Sequence, residues 1–201
     1  MGKPSQSKGA RAQRQEEVRA RVLTAARELF AAEGVAGLSI RAIASRAGIP
    51  AMTLYSYFPG KMGIVRALWS EAFAPLFAEL DAVEAAETEP KARLYAVARA
   101  MVAYWQRFPE RYRIVFYVED RREKEDDTWF IDETDVVASY LRFASLIAAA
   151  RGEADGDFIH EAEALICALN GVVHTTMGVS EYKWAPSMTY VDVIVRGILS
   201  T

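Results

Sequence analysis

Residues 38–61, LSIRAIASRAGIPAMTLYSYFPGK, constrain this chain more than any other stretch. Ile40, Ile43, Ala44 and Ala47 recur at i, i+3, i+4 and i+7, which is one apolar face of a short helix, and Ser39 is placed to cap it. Gly48 tolerates positive φ, and Pro50 suits the first turn of a new helix because its φ is fixed and its missing N–H would be unpaired there. Ala51, Leu54 and Phe58 repeat the apolar spacing, Met52, Thr53, Ser56 and Tyr57 point away, and Tyr55 lies at the boundary. Two short helices across a tight glycine-containing turn form a helix-turn-helix, whose second helix can enter a DNA major groove.

Charge supports that reading once it is divided by position. The chain carries a net charge of −3. Residues 1–66 hold 11 Lys or Arg against 4 Asp or Glu, and residues 67–201 hold 13 against 23. A basic first third matches a phosphate-binding surface, and an acidic remainder should face away from DNA.

The run ASRAGIPAMTLYSYFPGK resembles the DNA-binding motif of tetracycline-repressor (TetR) type regulators. Ile43 and Ala44, Ala47 to Ile49, Thr53 to Tyr55, Tyr57 and Phe58, and Lys61 carry the likeness. Met52 departs from it, since family members usually carry a small residue or proline there. The resemblance implies a one-component transcription regulator, a repressor rather than an activator, that binds an inverted-repeat operator as a homodimer and responds to a small-molecule effector. The motif match and the charge geometry together assign DNA contacts to Ser39, Arg41, Met52, Thr53, Tyr55, Tyr57 and Lys61. Arg41, Met52 and Tyr55 approach base edges, and Thr53, Tyr57 and Lys61 hold phosphates.

Taken in order, the chain reads as all-α, with about nine helices: a basic arm (1–14), a three-helix DNA-binding domain (15–60) and a helical effector-binding and dimerisation domain (61–201). The arm, MGKPSQSKGARAQR, has no periodic apolar position and reads as disordered, either lying in a minor groove or simply solvated. A helical stripe of Val22, Leu23, Ala26, Leu29 and Phe30 follows, in a helix starting near Glu16 and ending at Gly34. Lys61 opens a long fourth helix, with a kink or break expected near Pro75. Two further stripes run from Leu94 to Trp105 and from Val136 to Ala148, with a short helix carrying Tyr112, Val115 and Phe116 between them, its aromatic face inward. The charged run 119–127, EDRREKEDD, reads as solvated. Asp157 is placed to cap an eighth helix and Ser187 a ninth. The eighth is apolar around so much of its circumference that it needs cover on two sides, which points to a dimer interface over residues 157–178 and 188–200.

Between residues 104 and 143 the aromatic content rises well above the 11% of the whole chain. In the segment that the resemblance makes effector-binding, Met101, Trp105, Phe108, Tyr112, Phe116, Tyr140 and Phe143 are candidate pocket residues for an apolar or aromatic ligand. A carboxylate on it could reach Arg99 or Arg107. Asn170 and His174 read either as a polar pair in the core or as hydrogen-bonding groups of the pocket.

No apolar run is long enough to span a membrane and no signal-peptide pattern opens the chain, so a cytoplasmic protein is expected. Cys167, in an apolar run, reads as a buried thiol. The two histidines, His160 and His174, lie on one helix without the Glu-x-x-His pattern of a di-iron bundle, and no phosphate loop or nucleophile elbow is present. The expectation is therefore no enzyme, no cofactor and no metal. The competing reading is a dimeric DNA-binding or interaction protein without an effector.

Overall fold

The computed structural model describes residues 5–120, 129–132, 136–153 and 156–200, and these form nine α-helices, two 3-10 turns and no strand. No helix among them is long and apolar enough to cross a membrane.

The first helix, α1 (Ser5–Glu33), begins well before Glu16, inside the stretch read as an arm. Residues 10–17, ARAQRQEE, are good helix formers that face solvent throughout. With no apolar position to bury, such a segment shows no periodicity, although propensity carries the helix through it. Further along, Val22, Leu23, Ala26, Leu29 and Phe30 are buried as their spacing predicts.

Helix α2 (Ile40–Ala47) starts from Ser39, whose Oγ accepts from the Ala42 N–H at 3.2 Å. It stops at Gly48, φ +68°, a left-handed position that a side chain would strain. Pro50 then leads into α3 (Ala51–Leu54), one turn long, and the chain continues in turns to a buried Phe58. The sequence pattern carried this helix on to Phe58. Pro59 disfavours the α conformation at Phe58, and residues 55–57 already form turns before it.

Of the kink or break expected near Pro75 there is no break, since α4 (Gly60–Ala86) continues through it as one helix. Leu68 and Trp69 before the proline and Ala72, Phe73, Leu76 and Leu80 around and after it are all buried. Packing on both sides holds the helix despite the hydrogen bond that proline removes.

Two compact units divide the chain, Met1–Glu71 with Arg113–Trp129, and Ala72–Tyr112 with Phe130–Thr201. Helix α4 and the short α6 (Pro109–Phe116) each give residues to both. In the first unit the Trp69 indole N–H donates to the Ile114 carbonyl at 2.7 Å. Arg66 donates twice to Asp120, at 3.1 and 2.9 Å, with both side chains largely buried. Asp120 is thus paired, where the charged run 119–127 was read as solvated, and residues 121–127 lie outside the described residues.

The second unit centres on α5 (Pro90–Arg107), which packs against α7 (Val136–Arg151), α8 (Ile159–Gly178) and α9 (Ser187–Ser200). Asp157 Oδ1 accepts from the Ile159 N–H at 3.2 Å, while Phe158 takes the capping position of α8. Helix α8 buries Ala162, Leu165, Leu169 and Val173. Its other side, with Ala164, Cys167, Gly171 and Thr175, is exposed in the single chain. Cys167 is on that exposed side, not buried, because the helix is apolar on two faces and the chain itself covers one.

Candidate functional site

The helix-turn-helix presents most of the expected DNA contacts outward. Ser39, Arg41 and Thr53 are exposed, Met52 is 81% and Tyr55 53% exposed, and Tyr57 and Lys61 are half-buried. Met52 and Tyr55 are thus large side chains standing exposed within the basic first third of the chain. No described carboxylate pairs with Arg41 or Lys61. Arg46, by contrast, is bound to Glu28 at 3.0 Å. Lys61 stands in the first turn of α4, where unpaired backbone N–H groups favour an anion.

One residue of this region was invisible to spacing arguments. Arg19 of α1 donates to the Tyr57 carbonyl at 2.7 Å, and its guanidinium lies 4.3 Å from the centre of the Phe58 ring. Nothing local links positions 19 and 57, so only packing reveals the pair.

In the second unit the aromatic residues form one connected group. Trp105 is fully buried and meets Phe73 edge-on at 5.8 Å, Tyr104 at 5.1 Å and Tyr112 at 5.8 Å. Tyr140 meets Phe73 and Phe77 edge-on at 6.1 and 5.7 Å, and Phe130 stacks on Phe73 at 6.3 Å. Met101 and Phe143 are buried in the same unit, and Phe108 lies against Tyr104 at 5.0 Å. Phe73 and Phe77 were missed because their helix reads as an ordinary core stripe.

Two of the candidates do not join this group. Phe116 is 39% exposed and belongs to the first unit, since α6 changes units after Tyr112. His174 is exposed, although Asn170 one turn earlier has its Oδ1 buried. Four residues advance a helix about 40° past a full turn, enough to leave the buried face at its edge.

The polar atoms inside the group are few. Tyr112 donates to the Asn170 backbone carbonyl at 3.2 Å. Among the described residues the Asn170 Oδ1 has no hydrogen-bond partner. Burial pushes the Tyr140 phenol far above its ordinary range. Burial also raises Tyr104, whose hydroxyl donates to the Ala72 carbonyl at 2.6 Å and accepts from Arg111 at 2.8 Å. Neither arginine considered for a ligand carboxylate is free. Arg99 is bidentate to Asp192 at 2.9 and 2.8 Å, and Arg107 is bound to Glu79.

Residues 22–68 match the family described as bacterial regulatory proteins, tetR family. The match covers the helix-turn-helix and parts of the helices on either side of it. Solved structures share the all-helical fold over nearly the whole chain. A TetR-family transcriptional regulator from Streptomyces coelicolor is 23% identical with a TM-score of 0.65, over 98% of each chain. A tetR-family regulatory protein from Rhodococcus RHA1 is 20% identical with a TM-score of 0.69, over 91% of this chain and 95% of that one. The regulator FadR from Bacillus subtilis, solved in complex with stearoyl-CoA, is 18% identical with a TM-score of 0.68, over 90% of this chain and 97% of that one. No curated protein matches the sequence.

Proposed function

We propose that this chain is a TetR-family regulator, a cytoplasmic homodimeric repressor that leaves an inverted-repeat operator when a small, largely apolar or aromatic molecule enters its second unit. The observation that carries this reading is the buried aromatic group around Trp105, which encloses polar atoms of Tyr140 and Asn170 that the chain itself leaves incompletely paired. A purely architectural core gains nothing from such atoms, whereas an effector site uses them. The neighbouring fold of FadR with bound stearoyl-CoA supports a ligand in a helical domain of this kind. The molecule is bound and released unchanged.

DNA is read through Arg41, Met52 and Tyr55 at base edges and through Ser39, Thr53, Tyr57 and Lys61 at the backbone. The effector group comprises Met101, Trp105, Phe108, Tyr112, Tyr140, Phe143 and Asn170, with Phe73 and Phe77 of α4 added. Helix α4 carries Lys61 near its start and Phe73 and Phe77 further on, so it is the covalent path between ligand and DNA. A ligand shifts the dimer only by its differential affinity for the two forms, so the form it favours must be one that misplaces Lys61 and the recognition helices.

For the dimer, the support is the exposed side of α8 and α9, where Gly171, Val172, Thr175, Trp184, Tyr190 and Val193 line a shallow, mostly apolar groove of about 300 Å³. Val193 is 52% exposed there.

Selection of genomic DNA fragments on the purified protein, followed by anisotropy of a labelled selected fragment during titration with a library of apolar and aromatic compounds, tests the reading. An inverted repeat released by a compound that quenches tryptophan fluorescence is the expected result. Tight binding that no compound weakens would favour the effector-free alternative.

A further inference from the structure

Between Arg46 and Lys61 the chain carries no charged side chain and no side-chain amide. That interval includes the whole of α3 and the turns after it. Bases are told apart in the major groove chiefly by hydrogen bonds from Arg or Lys to guanine, from Asn or Gln to adenine, and from cytosine to Asp or Glu. None of those partners stands on α3. Thr53, Tyr55, Ser56 and Tyr57 offer one hydroxyl each, which can donate or accept and so suits more than one base. The Ser56 hydroxyl already donates to the Thr53 carbonyl at 2.6 Å.

What α3 presents instead is apolar. Leu54 and Phe58 are buried, which leaves Met52 and Tyr55, three residues apart, on the outer side. At 81% exposure Met52 is the most exposed large apolar side chain among the described residues. A recognition helix sets its leading residues against the base edges, and Met52 is the second residue of α3. The apolar group that a base pair shows in the major groove is the C5-methyl of thymine. A methionine side chain is unbranched and pliable, so it packs on a methyl group without needing a fixed hydrogen-bond geometry.

We propose that Met52 is a specificity-determining residue that reads the 5-methyl group of a thymine in the operator. This rests on the reading of the helix-turn-helix as a DNA-binding element, and it is independent of any effector.

The test uses the full-length protein and a duplex that it selects from genomic DNA. Each thymine of the duplex is replaced in turn by deoxyuridine, which removes the methyl group and keeps every hydrogen-bonding atom. In anisotropy titrations the wild type should lose about 4-fold in affinity at one thymine of a half-site, the worth of one buried methyl group. The loss should be the same across a salt series, because a methyl contact releases no counterion. Met52→Ala should bind the thymine and uracil duplexes alike, and Met52→Leu should keep the difference. Because the side chain stands exposed in the single chain, neither variant should shift Tm, which circular dichroism checks. A duplex in which every thymine can be replaced without loss overturns the proposal while leaving DNA binding in place. So does a uracil penalty that persists in the Met52→Ala protein, which would assign the methyl contact to another side chain. If the protein enriches no duplex at all, the DNA-binding reading falls and the assignment falls with it.

Discussion

Arg19 does for the recognition helix what that helix cannot do for itself. At four residues, α3 is far below the length at which a helix holds its own shape. The bond from Arg19 to the Tyr57 carbonyl and its stacking on Phe58 tie the turn that follows α3 to α1. Arg19→Ala should therefore weaken operator binding by about 10-fold without changing the slope of log affinity against log salt, because a positioning residue releases no counterion. Lys61→Ala should do the opposite, weakening all sequences and reducing that slope by about one. Anisotropy titrations over a salt series separate the two. A shallower slope for the Arg19 variant would put its guanidinium on a phosphate, and an unchanged slope for the Lys61 variant would remove Lys61 from one.

At the scale of elements, α5 is the helix on which the second unit is built, and its start depends on one side chain. The Glu89 carboxylate accepts from the Lys91 N–H at 3.1 Å and from the Ala92 N–H at 2.5 Å, with Pro90 at the first helical position. The Ala92 bond, then the Lys91 bond, hold its pKa below the ordinary carboxylate value. A depressed folded value means that Glu89 contributes stability in full above the ordinary range and loses it as pH falls through the folded value. Glu89→Gln should lower Tm at neutral pH, and its difference from wild type should shrink as pH drops below about 4. A constant difference from pH 7 to pH 3, followed by circular dichroism, would show that the charge is not what caps this helix.

For the whole molecule, the exposed side of α8 is the proposed dimer face. A Cβ added at Gly171 meets nothing within 4 Å. Gly171→Glu should accordingly leave the packing of the single chain intact and place an unpaired carboxylate in the proposed interface. Sedimentation should show folded monomers, and binding to an operator with half-sites about one DNA turn, ~34 Å, or somewhat more apart should be lost with the dimer. A variant that stays dimeric moves the interface to another surface.

What the sequence determined by itself is local. The Ser39 cap, the left-handed Gly48, the buried spacing of Ile43, Ala44 and Leu54 and the basic first third follow from dihedral preference, capping and i to i+4 geometry, which neighbouring residues decide among themselves. The apolar stripes of the later helices were legible for the same reason, and with them the all-helical fold. Tertiary structure decided what depends on residues far apart. The bond from Arg19 to Tyr57 spans 38 positions, and that from Tyr112 to Asn170 spans 58. Periodicity assigns a face to a helix but not the neighbour it meets. Phe73 and Phe77 therefore joined the aromatic group unannounced, Phe116 and His174 fell outside it, and Arg99 and Arg107 were taken up by Asp192 and Glu79. Continuous packing on both sides of Pro75 likewise overrode a local signal for a break. The chemistry of an effector site lies in such distant meetings, whereas a helix-turn-helix is written almost entirely in adjacent residues.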